Sequence, residues 1–169
     1  MKIDIDYYTD FESKENLEKY DKFLKEYKGK IDKIVRLALE NRKILFGNFY
    51  IGIGVVSKES IQTTNKEYRN IDKVTDVLSF PMYDIQELEE LKHNNEEDSQ
   101  QMPIGDIVIC LEKVEEQAAE YETGFEREML YMITHGMCHL MGYDHEELED
   151  KAIMRETEEK ILKKIEGEE

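Results

Sequence analysis

Hydrophobic and charged residues alternate at the start of the chain, where aspartates separate Ile3, Ile5 and Tyr7. A period of two is typical of a strand with one buried face. From about residue 12 to residue 43, apolar residues instead recur every three or four positions, which predicts helix. We expect Gly29, which stands between two lysines, to divide this region into two helices.

Three further runs, at 50–56, 75–80 and 104–110, are rich in β-forming residues and predict strands. The last of these is largely apolar, which indicates a strand in the interior of a sheet. Ser57 follows the first run and can cap a short helix that extends to about Tyr68.

The C-terminal third has helical periodicity, with segments at 114–121, 124–141 and 146–165. Thr123 and Glu126 match a capping box at the start of the middle segment. The irregular order of strands and helices predicts an α+β fold, in which a small mixed sheet of about four strands packs with five or six helices.

Length and composition favour one globular domain over residues 1–169, since a chain of this length buries a core without staples. Acidic and amide side chains dominate residues 84–101, which predicts a mobile acidic loop in which Leu88 and Leu91 could support one helical turn. Two cysteines, Cys110 and Cys138, are too few for a disulfide framework and indicate a reducing compartment. The sequence has neither a recognisable signal peptide nor a long apolar span, so we expect a cytoplasmic protein without a membrane partner.

The formal net charge of the chain is −17, and we expect most of it on solvated helix faces. Proteins that bind nucleic acid through a broad electrostatic surface are usually basic. We therefore expect no DNA partner, and an RNA partner would have to contact a local basic patch.

Three of the four histidines, His135, His139 and His145, fall within eleven residues. At roughly 100° per residue, the first two lie about 40° apart on one helix, so their rings can converge. Gly142 lets the chain turn and bring the third ring back. Three protein ligands with one open position are typical of a catalytic zinc site, although imidazole also suits other divalent transition metals. The predicted buried stripe beside the histidines comprises Phe125, Met129, Met132, Gly136 and Leu140.

The histidine spacing also matches the metzincin protease pattern H-E-x-x-H-x-x-G-x-x-H, with Gly136 in place of the glutamate. Peptide hydrolysis needs that carboxylate as its general base. A zinc peptidase is therefore a weaker alternative than another kind of hydrolase. Cys138 lies roughly 100° around the helix from His139, and we interpret it as a packing residue.

The run HGMCHLMGYDH at 135–145 resembles the H-G-x-x-H-x-x-G-Y-D-H motif of the YbeY family, which comprises metal-dependent endoribonucleases of ribosomal RNA maturation. Three upstream runs resemble other blocks of that family in the same order: NKEYR at 65–69, DKVTDVLSFP at 72–81 and GDIVI at 105–109. The resemblance covers most of the chain from about residue 50. Val74 departs from the family's usual proline, and Cys138 from its usual larger apolar residue; neither change touches the chemistry.

The resemblance implies one zinc ion at the three histidines, a functional arginine at Arg69, and cleavage of single-stranded RNA. It also implies roles in rRNA 3′-end processing and in quality control of ribosomal particles. The planar, permanently charged guanidinium of Arg69 could bind a phosphate beside the metal. Lys66 and Lys73 are close in sequence and could form the local basic patch. Further candidates for that patch are Lys33, Arg36, Arg42 and Lys43.

Asp144 has two possible roles. It could orient a ligand histidine, or it could cap the last helix together with Glu147, which we favour slightly. Asp76, Ser79 and Asp106 belong to the strand blocks and could line or brace the site.

These observations together predict a single-domain metallohydrolase that binds RNA in a groove between helix 124–141 and the strand around 75–80. The alternatives are the zinc peptidase and a non-catalytic, ribosome-associated factor in which the metal is structural.

Overall fold

The computed structural model describes residues 1–96 and 100–167 and confirms the predicted α+β class with a four-stranded mixed sheet. Strand and helix alternate through most of the chain, and three consecutive helices end it. The elements are β1 (Lys2–Thr9), α1 (Lys14–Asn41), β2 (Asn48–Val55), α2 (Lys58–Arg69), β3 (Val77–Pro81), α3 (Ile85–Leu91), β4 (Met102–Ile109), α4 (Leu111–Glu120), α5 (Phe125–Leu140) and α6 (Leu148–Glu166).

The strands are arranged in the order β1-β2-β4-β3. β1, β2 and β4 are mutually parallel, whereas β3 runs antiparallel to β4. β4 is thus an interior strand, as its apolar sequence predicted, and Ile104, Ile107 and Ile109 are buried. The antiparallel edge strand β3 lies next to α5, and this placement forms the site described below.

α1 is one continuous helix of 28 residues, so the predicted break at Gly29 is wrong. Gly29 lies on the exposed face, and a glycine there costs only about 1 kcal/mol relative to alanine. The buried side chains on both sides of it, from Phe23 to Ile31 and Ile34, pack into the same core and outweigh that cost. Ser13 caps the helix by accepting a hydrogen bond from the Asn16 amide.

The acidic segment is partly helical. Asp84 and Glu87 form a reciprocal capping box at the start of α3, and Leu88 is fully buried. A helix is therefore present where Leu88 and Leu91 indicated one turn, and it extends over residues 85–91 because the buried leucine anchors it. Residues 97–99 of this segment lie outside the described residues.

α5 is the central helix of the fold and packs against α1, α4, α6, β3 and β4. Met129, Gly136 and Leu140 are buried as predicted, whereas Phe125 and Met132 are half-buried. A Cβ on Gly136 would lie 3.2 Å from Ile107 Cδ1, so the missing side chain lets the helix approach the sheet closely.

The helix start differs from the prediction. Gly124 occupies the N-cap position without a side-chain cap, so the capping box at Thr123 is wrong. Glu126 instead forms an ion pair with Lys30, at 2.6 Å, and this contact with α1 competes with capping. Among the described residues, no helix is long and apolar enough to cross a membrane.

Candidate functional site

The three predicted histidines come together at one end of α5. Their ligand nitrogens all lie within 4.8 Å of one another. The ring centroids of His135 and His139 are 4.7 Å apart, and the His145 centroid lies 5.7 Å and 5.0 Å from them, respectively. The geometry predicted from the spacing of the histidines is therefore present.

Gly142 makes this convergence possible. Its φ of +85° is in the left-handed region, which favours glycine. A Cβ there would also lie 3.2 Å from both Ile85 and Leu88 of α3. The chain turns sharply at this residue, and His145 returns toward the two rings on α5.

The ring of His139 is held in one tautomer by the backbone. Its Nδ1 lies 3.1 Å from the carbonyl oxygen of Tyr143. Because a carbonyl oxygen can only accept, Nδ1 must carry the proton, and the neutral ring then presents a lone pair on Nε2. Burial, followed by the neighbouring His135 and His145, lowers the pKa of His139 and favours this neutral form.

The distance between the two Nε2 atoms of His135 and His139 fits a shared metal. They are 3.2 Å apart. Two nitrogens bound tetrahedrally to zinc at about 2.0–2.1 Å would be about 3.3 Å apart. His145 is exposed, which leaves room on the solvent side for a fourth ligand. The cluster could therefore hold a metal ion, and its all-imidazole donor set suits zinc, copper, iron or nickel.

A buried carboxylate lies behind His135, and the sequence analysis missed it. Glu158 on α6 is 3% exposed, and its Oε2 is 3.5 Å from His135 Nδ1. Both atoms are buried, and neither has a hydrogen-bond partner among the described residues. A sequence signal existed, because Glu158 is a charged residue on the otherwise apolar stripe of α6 that contains Met154, Ile161 and Leu162.

Tyr131 contacts both members of this pair. Its ring lies roughly parallel to that of His135, with centroids 6.1 Å apart. Burial, then the charge of Glu158 and a hydrogen bond to it, raise the pKa of Tyr131 to about 12. The phenol of Tyr131, one turn before His135 on the same helix, is thus neutral at ordinary pH.

A cleft of about 710 Å³ opens beside the histidines, between α5 and β3, as the sequence predicted. Arg69, Asp76 and Ser79 line it together with all three histidines. Its aromatic lining consists of Tyr68, Phe80 and Tyr131. Within the described part of the chain, Arg69 is the only Lys or Arg that lines this cleft.

The predicted lysine patch is not part of the cleft. Lys66 lines a separate surface depression and lies 3.8 Å from Asp72, and Lys73 does not line the cleft either. The further candidates are also elsewhere: Lys33, Arg36, Arg42 and Lys43 contribute nothing to the cleft lining, and Arg42 lies beside Glu89 and the Tyr143 ring.

Asp144 does not cap the last helix, so the favoured interpretation is wrong. α6 begins at Leu148, with Glu147 at its N-cap, because the turn after Gly142 extends further than expected. Asp144 Oδ1 accepts a hydrogen bond from the His145 amide at 2.7 Å and lies 3.5 Å from His145 Nδ1. This backbone bond, above all, lowers the pKa of Asp144. The carboxylate is thus placed to orient His145.

The three strand residues separate into two groups. Asp76 lines the cleft, and its Oδ1 accepts from the Val77 amide at 2.8 Å, so it braces the start of β3. Ser79 also lines the cleft. Asp106 does not, because it interacts with Tyr8 across the exposed face of the sheet.

The chain is similar to known proteins of one family. The sequence profile described as Endoribonuclease YbeY matches residues 12–166. An "Endoribonuclease YbeY" of Thermoanaerobacter sp. (strain X514) is 44% identical over 136 residues, which covers 80% of this chain and 85% of that protein. One of Clostridium botulinum (strain Loch Maree / Type A3) is 43% identical over 146 residues, which covers 82% and 87%, respectively.

A solution structure of a Thermotoga maritima protein is similar to this fold, with a TM-score of 0.60 and 28% sequence identity over 98% of this chain and 91% of that one. The family predicted from the histidine motif and the upstream blocks is therefore confirmed, and with it the prediction of an enzyme of the hydrolase class. The chain belongs to the Endoribonuclease YbeY family.

Proposed function

We propose that this chain is a zinc-dependent endoribonuclease that cleaves single-stranded RNA, matures the 3′ ends of ribosomal RNA and acts in ribosome quality control. The observation that carries the proposal is the convergence of three imidazoles within 4.8 Å at the wall of a cleft that also contains Arg69. When bound there, zinc would polarise a phosphate oxygen and lower the pKa of a bound water.

Arg69 is the residue we propose for binding the scissile phosphate. It is the last residue of α2 and lines the cleft together with the histidines. A guanidinium remains charged at all working pH values and can donate two parallel hydrogen bonds to phosphate oxygens. In this position it would hold the phosphate beside the histidines and stabilise the negative charge that develops in the transition state.

The aromatic lining supports a single-stranded substrate. Tyr68 is 70% exposed and packs edge-on against Phe80, with ring centroids 5.1 Å apart. Unpaired bases can stack on such rings, whereas paired bases in a duplex are already stacked on one another. The net charge of −17 repels RNA, and one arginine among the described lining residues of the cleft offsets this only locally. Stacking would supply additional affinity.

The peptidase alternative is disfavoured by the same geometry. At the position of the protease glutamate, Gly136 is buried against Ile107. Among described residues, Asp76 is the only carboxylate that lines the cleft, and its Oδ1 already accepts from a backbone amide. A general base for peptide hydrolysis is therefore lacking on α5.

We also propose ribosomal RNA and ribosomal particles as partners and the cytoplasm as the location. Family resemblance supports the partners. Two buried, unpaired cysteines, Cys110 and Cys138, are compatible with a reducing compartment.

The test is a cleavage assay on one RNA sequence, presented either alone or annealed to its complement. We expect cleavage of the single strand with zinc, little cleavage of the duplex, and none after chelation. Equal cleavage of both forms would contradict the substrate preference, and cleavage of casein in parallel would favour the peptidase.

Circular dichroism of the chelated protein addresses the structural-metal alternative. α5 packs on five other elements, and its side chains Met129, Ile133 and Leu140 are fully buried in the core. We therefore expect the metal-free chain to keep its helical signal while losing cleavage. Unfolding on chelation would instead favour a structural metal.

A further inference from the structure

Glu158 is a buried carboxylate in a place that favours apolar side chains. It lies on the face of α6 that packs into the core, beside Met154, Ile161 and Leu162, and is 3% exposed. Removing a carboxylate from water costs several kcal/mol even after the protein relaxes. Among the described residues, the ion pair that accompanies it is with His135, which is charged only if protonated.

The polar atoms around Glu158 are aligned toward the metal site. Its Oε2 and His135 Nδ1 face each other at 3.5 Å, and both lack another hydrogen-bond partner among the described residues. Tyr131, one turn earlier on α5, stacks against the His135 ring, with centroids 6.1 Å apart. At this distance the negative carboxylate favours an N–H, rather than a lone pair, on the ring nitrogen that faces it.

The contact with Glu158 determines which ring nitrogen of His135 can bind a metal. A carboxylate can only accept, so a hydrogen bond to Glu158 keeps the proton on Nδ1 and leaves the lone pair on Nε2. Nε2 is the atom that lies 3.2 Å from His139 Nε2. The two histidines on α5 would thus be oriented in the same way, His139 by the Tyr143 carbonyl and His135 by a full negative charge.

We propose that Glu158 is a positioning residue for the metal, which fixes the tautomer and angle of His135 and strengthens Nε2 as a ligand. This rests on the proposed metal function of the three histidines. A carboxylate behind a ligand histidine raises the basicity of that ligand, and its loss typically weakens metal binding about 10- to 100-fold. Glu158 acts through His135 and has no contact with the cleft.

The proposal makes opposite predictions for stability and for metal affinity. In the metal-free protein the buried charge of Glu158 is poorly compensated, so removing it relieves a desolvation cost. In the bound protein the same charge faces a dication through His135. We therefore expect Glu158→Gln to raise the Tm of the metal-free chain while lowering its affinity for zinc.

The experiment is a competitive zinc titration of the full chain, with the Tm of the metal-free and zinc-bound forms measured beside it. Glu158→Gln should bind zinc about 10- to 100-fold more weakly, with a higher metal-free Tm. Glu159→Gln is the matched control, because Glu159 is the next residue on α6 and its side chain is 55% exposed. It should bind zinc as the parent chain does.

Glu158→Leu provides a second test if Glu158→Gln does not fold. Leucine has a similar volume to glutamate and suits the apolar surroundings. It should show the same loss of zinc affinity. Parent-like affinity in either folded variant, or a Tm loss in both without any change in affinity, would overturn the positioning role.

Failure of the two proposals can be told apart. A parent chain that binds zinc tightly but cleaves no RNA contradicts the proposed activity and leaves the assignment of Glu158 intact. If the parent chain binds no zinc at the histidines, both the proposed zinc-dependent activity and the positioning role of Glu158 are contradicted. If the parent chain and Glu158→Gln bind zinc with the same affinity, only the positioning role of Glu158 is contradicted.

Discussion

His135 and His139 are held on a buried central helix of 16 residues, whereas Tyr68 and Arg69, across the same cleft, lie at the exposed end of a 12-residue helix. The histidine rings have backbone, carboxylate and aromatic neighbours on the protein side. Tyr68 is 70% exposed, and its ring packs edge-on against Phe80.

This difference matches two kinds of ligand. A metal ion needs nitrogens at fixed distances, and errors of a few tenths of an ångström cost affinity, so its ligands belong on a rigid, packed element. A single RNA strand is flexible and needs charge and stacking surfaces that can adapt. Substitutions on the two sides should therefore separate metal content from RNA binding and cleavage.

The largest effect on the exposed side is expected at Arg69. Arg69→Ala should lower kcat/KM for single-stranded RNA about 100- to 1,000-fold, as is typical for loss of one preorganised donor to a developing charge. Zinc content and Tm should be unchanged, because the side chain is not part of the histidine cluster. Arg69→Lys should recover only part of the activity, since it keeps the charge but loses the planar fork. Parent-like cleavage by Arg69→Ala would contradict its role.

A smaller effect is expected at Tyr68. Tyr68→Ala should raise KM roughly 5- to 100-fold, because base stacking on an aromatic ring contributes about 1–3 kcal/mol. Tyr68→Phe is the matched control and should behave like the parent, since it keeps the ring. If KM rises equally in both variants, the hydroxyl of Tyr68, rather than base stacking on its ring, contributes the RNA affinity. Initial rates across RNA concentrations separate KM from kcat.

The smallest effect is expected at Lys66, three residues before Arg69 on the same helix. Its side chain lies beside Asp72, outside the cleft. Lys66→Ala should therefore leave kcat/KM within about twofold of the parent and should leave the salt dependence of RNA binding unaltered, whereas loss of a phosphate contact reduces the salt slope by about one. A shallower salt slope for Lys66→Ala would extend the RNA-binding surface beyond the cleft.

Local sequence rules predicted that the three histidine rings come together. The i, i+4 spacing of His135 and His139, and a glycine that can turn the chain before His145, depend on helix geometry and on the left-handed preference of one residue. Both are properties of a short segment. The strands and the cap at Ser57 also follow from local patterns.

The errors arose where tertiary packing decides the outcome. Gly29 remains helical because side chains before and after it pack into the same core. Glu126 pairs with Lys30, 96 residues away in sequence, rather than capping its own helix. Glu158 was missed for the same reason, since its partner His135 belongs to another helix. A glutamate on an apolar stripe was the local sign that a buried partner existed.

Three imidazoles that share one metal ion should give the purified chain a fixed metal content. Metal analysis of the purified parent protein should give one divalent ion per chain, with zinc as the expected metal. His139→Ala should lose it, while His93→Ala, at an exposed histidine outside the cluster, should keep it. A full complement of metal in folded His139→Ala would contradict the account.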